Sequence, residues 1–90
     1  MILVHAAGNE NIGLGNLTRG FEIAKYISRN VSEELVVIFE CSSDIAKQYV
    51  VENTKIYISD SREDSREIIK KLCIGISTKT NIVISDLVDM

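Results

Sequence analysis

The sequence predicts an α/β domain in which a parallel sheet packs against helices. Three observations carry that expectation: short runs that are apolar on both faces, helical stripes between them, and a glycine-rich turn joining the first run to the first stripe. Strand and helix in alternation call for parallel strands joined by right-handed crossovers.

Ile2-Leu3-Val4-His5-Ala6-Ala7 is a continuous apolar run with a single His, as expected of a strand buried on both faces. A helix is expected from about Leu17 to Asn30, with Leu17, Phe21, Ala24 and Ile27 on one face and Lys25 and Arg29 turned outward. Glu34 to Glu40 repeats the buried-strand pattern. Ser42-Ser43-Asp44 then caps a second helix whose stripe is Ile45, Ala46, Tyr49 and Val50. Lys55 to Ile58 is a short third strand, and Ser61 with Asp64 forms a capping box before a third helix carrying Ile68, Ile69, Leu72, Cys73 and Ile76. Gly75 ends or loosens that helix, and Asn81 to Ser85 is a fourth strand. Asp60 is read with the start of the third helix. No proline interrupts any element.

These elements predict one Rossmann-like, three-layer domain over residues 1–90, with a four-stranded parallel sheet in the order 3-2-1-4. Helices 1 and 2 share one face, and helix 3 crosses the other to bring strand 4 beside strand 1. That reversal makes the crevice between strands 1 and 4, at their carboxyl ends, the expected ligand site. The Gly8–Gly20 stretch and Asp86 flank it.

Composition removes several function classes. A net charge of -3 with ten scattered Lys and Arg provides no basic stripe for a nucleic acid. The N-terminal apolar run has no basic leader and stops at Gly8, far short of a membrane span, so the expected location is the cytoplasm. Cys41 and Cys73 are too few and too far apart for a metal site and are expected as buried thiols. Neither a metal nor a resident cofactor is expected.

The most informative stretch is Gly8-Asn-Glu-Asn-Ile-Gly-Leu-Gly-Asn-Leu-Thr-Arg-Gly20. Gly13 and Gly15 reach backbone conformations closed to other residues and keep side chains out of a ligand's path. The helix that follows turns its first N–H groups, and the positive end of its dipole, toward that ligand. An anionic or hydroxyl-rich small molecule suits such a turn. The dinucleotide fingerprint is incomplete, because Thr18 stands where its third small residue belongs. The phosphate-cradling pattern ending in Gly-Lys-Ser/Thr is absent, since no Lys lies between Gly8 and Gly20.

Read as Ile12-Gly13-Leu14-Gly15-Asn16-Leu17-Thr18-Arg19-Gly20, the turn resembles the first loop and helix of nucleotide-sugar enzymes of the two-domain GT-B fold. It looks most like the Gly-x-Gly-His-x-x-Arg turn of spore-coat and pseudaminic-acid type nucleotide-sugar hydrolases and of glycosyltransferases related to the lipid II N-acetylglucosaminyl transferase. The likeness spans roughly the first 30 residues well and the later alternation in outline. It implies a nucleotide sugar or a sugar acceptor as ligand, and a second, C-terminal half that holds the nucleotide. Asn16 stands where that pattern has its His, which the resemblance implies acts in acid/base chemistry or in binding the reacting sugar. An amide exchanges no proton at neutral pH, although it still donates and accepts hydrogen bonds.

The candidate catalytic positions are therefore Asn16, in the position of the family's His, and Glu10, the best remaining carboxylate for general base work if the missing His is replaced locally. Gly13, Gly15, Asn16, Arg19, Asn11 and Asp86 are the candidate binding residues. Each has a plainer reading: Asn16 as the helix N-cap, Arg19 as an exposed first-turn side chain, Asn11 as a solvated loop residue and Asp86 as a solvated strand end. His5 reads first as a hydrogen-bonded core imidazole. Glu40, about 20 residues past the glycines, is where a dinucleotide site places its ribose-binding acid.

Three functions follow. The first is the N-terminal, acceptor-side portion of a nucleotide-sugar glycosyltransferase or hydrolase, inactive without its C-terminal half. The others are a small NAD-type dinucleotide-binding module and a non-catalytic interaction domain of the same fold. Ile82-Val83-Ile84 is apolar on both faces at what would be an edge, without the Pro or Lys that discourages pairing. Association through strand 4, with a second copy or with a separate C-terminal half, is therefore expected.

Overall fold

The computed structural model describes residues 2–9, 13–74 and 82–86, with side chains through residue 72. Its elements are β1 (Ile2–Ala7), α1 (Gly15–Asn30), β2 (Leu35–Glu40), α2 (Ser43–Ala46), β3 (Lys55–Ser59), α3 (Arg62–Ile74) and β4 (Ile82–Asp86).

β1 runs parallel to β2 in the register Ile2 to Leu35 through Ala7 to Glu40, and β2 runs parallel to β3 from Val36 and Lys55 to Glu40 and Ser59. Both apolar clusters among the residues whose side chains are described are built on the parallel core β1-β2-β3 and the helices on its two faces. β4 enters as backbone pairing along the other edge of β1, which extends the backbone order to β3-β2-β1-β4. Its side chains, and hence the proposed sticky edge, lie outside the described residues.

Alternation along each strand divides the core. Ile2, Val4, Ala6, Leu35, Val37 and Phe39 pack with Leu17, Ala24 and Ile27 of α1 and with Ala46 and Tyr49. Leu3, Val36 and Ile38 face the opposite way, onto Ile68, Ile69 and Leu72 of α3. Phe39 is fully buried and leans on the Tyr49 ring at a centroid distance of 5.6 Å, and Phe21 meets the same ring edge-on at 5.2 Å. Burying a side chain such as Phe39 contributes about 1.5–3 kcal/mol relative to leaving it exposed.

Several local expectations shift. α1 starts at Gly15, two residues before the expected start, and Lys25 is half-buried with its Nζ 4.5 Å from the Phe21 ring centroid. α2 is a single turn, capped as expected by Ser42, whose Oγ accepts from the Ile45 N–H. Because that helix stops at Ala46, its stripe does not run on to Val50; Val50 is exposed and Val51 takes the buried place. Ser61 caps α3, its Oγ accepting from Asp64 N–H at 3.1 Å, and Asp60 is not the cap. Cys41 is buried, whereas the side chain of Cys73, together with Gly75 and Ile76, lies outside the described residues.

Candidate functional site

The carboxyl ends of the strands carry two groups of polar residues. The first is the glycine turn. Gly8 donates its N–H to the Glu40 carbonyl at 3.2 Å, which ties the start of the turn to the end of β2. A Cβ on Gly8 would lie 2.8 Å from the Gly13 carbonyl oxygen and 2.9 Å from Leu17 Cγ, so the turn closes on itself where only glycine fits. Gly13 closes it from the other side, donating to the Asn9 carbonyl at 2.8 Å with φ of +90°, a left-handed conformation that favours glycine. Around Gly13 and Gly15, by contrast, an added Cβ would meet nothing within 4 Å among the described residues. Among those residues, that side of the turn is open.

α1 begins in this opening. Leu14 flanks its first residue, no side chain caps it, and its first turn holds no acidic residue. Asn16 is therefore not the N-cap. It sits inside the first turn, and its Oδ1 accepts from Arg19 Nη2 at 2.7 Å. The three-residue spacing that predicts a shared face brings these two side chains together, with Asn16 half-buried and Arg19 exposed. The helix dipole and the amide N–H groups of the first turn add positive potential at the same place.

The close approach of helix to strand is not at Thr18, where a dinucleotide fingerprint would need it. Thr18 points away, its Oγ1 lying 3.1 Å from the Tyr49 hydroxyl. Two residues on, a Cβ on Gly20 would stand 2.5 Å from Ala6 Cβ. The packing glycine of α1 is Gly20. Of the other candidates, Glu10 and Asn11 lie outside the described residues. Asp86 ends β4 beside Ala6 of β1, at the carboxyl end, and its side chain is likewise outside them.

The second group was not assembled from the sequence. Glu40, the last residue of β2, accepts from Arg62 Nε at 3.1 Å (Oε1) and 3.2 Å (Oε2), from Ser65 Oγ at 2.9 Å and from His5 Nε2 at 3.1 Å. Ser65 Oγ also lies 2.7 Å from Ser59 Oγ, whose hydroxyl reaches the Ser61 carbonyl at 2.7 Å. His5, Ser59 and Ser65 are all buried. Burial acts to raise the Glu40 carboxyl, but the donors Ser65, Arg62 and His5 outweigh it and hold the group below the ordinary glutamate range. Burial lowers the His5 imidazole, against the opposing pull of Glu40. An ionised carboxylate only accepts, so His5 is the neutral tautomer with its proton on Nε2.

This geometry bears on Glu40 as a ribose-binding acid. Its side chain is 12% exposed and both oxygens already have partners inside the protein. The feature that favoured a dinucleotide is thus an internal anchor.

Comparison with protein-family models, with curated proteins and with solved structures finds no match.

Among the described residues no group of three or more His, Cys, Asp or Glu is arranged to hold a metal ion, and no helix is long and apolar enough to cross a membrane. Ser59, Arg62 and Ser65 are the residues that sequence reasoning missed. A signal was present: Ser65 stands three, four and seven residues before Ile68, Ile69 and Leu72, on the buried stripe of α3, where a hydroxyl needs a buried acceptor.

Proposed function

We propose that the chain is the acceptor-side, N-terminal portion of a nucleotide-sugar glycosyltransferase or hydrolase, with the β1-α1 turn as its ligand end. The observation that supports this reading is the Asn16–Arg19 pair on a first turn without a side-chain cap, beside two glycines that no described residue obstructs. Arg19 supplies a cation and Asn16 an amide, so the turn suits a phosphorylated or hydroxyl-rich sugar. Asn16 binds in this reading and transfers no proton. Any general base comes from Glu10 or from the complementary half that also holds the nucleotide.

Two features set the NAD-type module aside: Glu40 is engaged by Arg62, Ser65 and His5, and Thr18 does not pack on the strand. The experiment is a calorimetric titration of the chain with a uridine or cytidine nucleotide sugar, a sugar phosphate and NAD, together with an assay for product. Expected are weak binding of the sugar ligands that Arg19→Ala reduces, no response to NAD, and no sustained turnover by the 90 residues alone. Binding of NAD that Glu40→Ala weakens, or steady product from the chain by itself, contradicts the proposal.

A further inference from the structure

The buried polar group centred on Glu40 lies apart from the glycine turn, between the sheet and α3. It joins three elements: His5 from β1, Glu40 from β2, and Arg62 and Ser65 from the first turn and a half of α3, with Ser59 of β3 behind Ser65. Below it the same helix covers the apolar patch of Leu3, Val36 and Ile38. α3 is therefore held at one end by hydrogen bonds to a single carboxylate and along its length by apolar contacts.

Proton bookkeeping makes this end sensitive. Ser59 and Ser65 have one hydroxyl proton each, while Glu40 Oε1, Ser59 Oγ and the Ser61 carbonyl are all within reach as acceptors. An ionised Glu40 draws the Ser65 proton and fastens α3 to β2. His5 sits beneath this contact with its side chain only 3% exposed. An imidazolium there would place a second cation near Arg62 in a space closed to water, whereas an undocked α3 would hydrate it. Among the described residues, the charged groups facing His5 are Glu40 from β2 and Arg62 from α3, and β4 sets Ser85 beside it in register.

We propose that the His5–Glu40–Arg62–Ser65 group is a proton-operated latch: protonating His5 releases α3 from the sheet and uncovers the Leu3, Val36 and Ile38 patch while the strands stay paired. The sign follows from linkage. The docked imidazole binds a proton less readily than a free one, so the opened form takes up protons and gains population as pH falls through and below about 6.5, by at most tenfold per pH unit. A second release follows at lower pH, where Glu40 itself takes a proton. The inference does not depend on the ligand proposed for the glycine turn.

Amide exchange of the full chain from pH 8 to pH 5, corrected for the intrinsic pH dependence of exchange, tests it. For residues Ser65 to Leu72 the opening constant should rise several-fold to tenfold between pH 7 and pH 5.5, while amides Val36 to Phe39 of β2 keep their protection. In His5→Gln, whose side-chain amide can still donate to Glu40, the rise should vanish from that window. An unchanged rise in His5→Gln overturns the latch, as does loss of α3 and β2 protection in parallel. If His5→Gln does not fold, the titration of His5 Cε1–H in the wild-type chain decides. A midpoint below 6.5 that coincides with the α3 opening supports the latch, and a midpoint at or above it overturns it.

Discussion

Gly20→Ala puts a methyl where the structure has no room. The new Cβ would stand 2.5 Å from Ala6 Cβ, about 1–1.5 Å inside the roughly 3.5–4.0 Å at which carbon atoms attract. Overpacking of this kind costs about 1–3 kcal/mol, and the upper part applies because Ala6 lies in a strand paired on both sides, which cannot retreat. Replacing a mid-helix glycine by alanine returns about 1 kcal/mol in helix propensity. The net expectation is a loss of about 2 kcal/mol, or roughly 8–16 °C in melting temperature for a domain of this size. Urea unfolding followed by circular dichroism measures it, with Gly15→Ala as the control. An added Cβ at Gly15 meets nothing, so that variant should be neutral or slightly more stable. Ala6→Gly in the Gly20→Ala background should recover part of the loss. A Gly20→Ala chain as stable as the wild type would refute the close α1–β1 contact, and with it the placement of the turn over the carboxyl end of β1.

Two further substitutions probe the two polar groups. Glu40→Ala leaves the buried donors of His5 and Ser65 without their acceptor at about 1–3 kcal/mol each, for a total loss near 3 kcal/mol by chemical denaturation. Arg62→Ala should cost under about 1 kcal/mol, because that side chain is 37% exposed; equal losses would mean that Glu40 acts only through its ion pair. Asn16→Asp separates folding from binding: a carboxylate in the first turn of α1, beside Arg19, should stabilise by about 0.5 kcal/mol. The same change should weaken a sugar phosphate several-fold by repulsion. Tighter binding by Asn16→Asp would show that the ligand there is not anionic.

The division of the chain into strands and helices was legible because it depends on local pattern. Ile2 to Ala7 and Leu35 to Glu40 are apolar on both faces since helices cover both sides of the sheet there, and Ser42 and Ser61 announced their helices by capping chemistry. The pairing of Asn16 with Arg19 was legible for the same reason, being a matter of three residues along one helix. What stayed hidden depends on register between distant segments. Glu40 was singled out by its distance from the glycines, but its partners lie 22, 25 and 35 residues away, and no local spacing reveals that Arg62, Ser65 and His5 converge on it. The dinucleotide count looks for close packing at position 18, where Thr18 breaks the motif, whereas helix geometry sets Gly20 over Ala6, a contact that no motif count singles out. The stripe assigned to α2 runs through Val50, but the helix is a single turn that stops at Ala46.

The central functional claim is that the β1-α1 turn binds a phosphorylated or hydroxyl-rich sugar through the glycines and the Asn16–Arg19 pair. The most direct measurement is an amide-shift map of the ¹⁵N-labelled chain titrated with a uridine or cytidine nucleotide sugar and with a sugar phosphate. Saturable shifts concentrated at Gly13, Gly15, Asn16 and Arg19, and diminished in Arg19→Ala, are the predicted result. Shifts confined to Glu40, Arg62 and Ser65, or none at the turn at any concentration of either ligand, would contradict it.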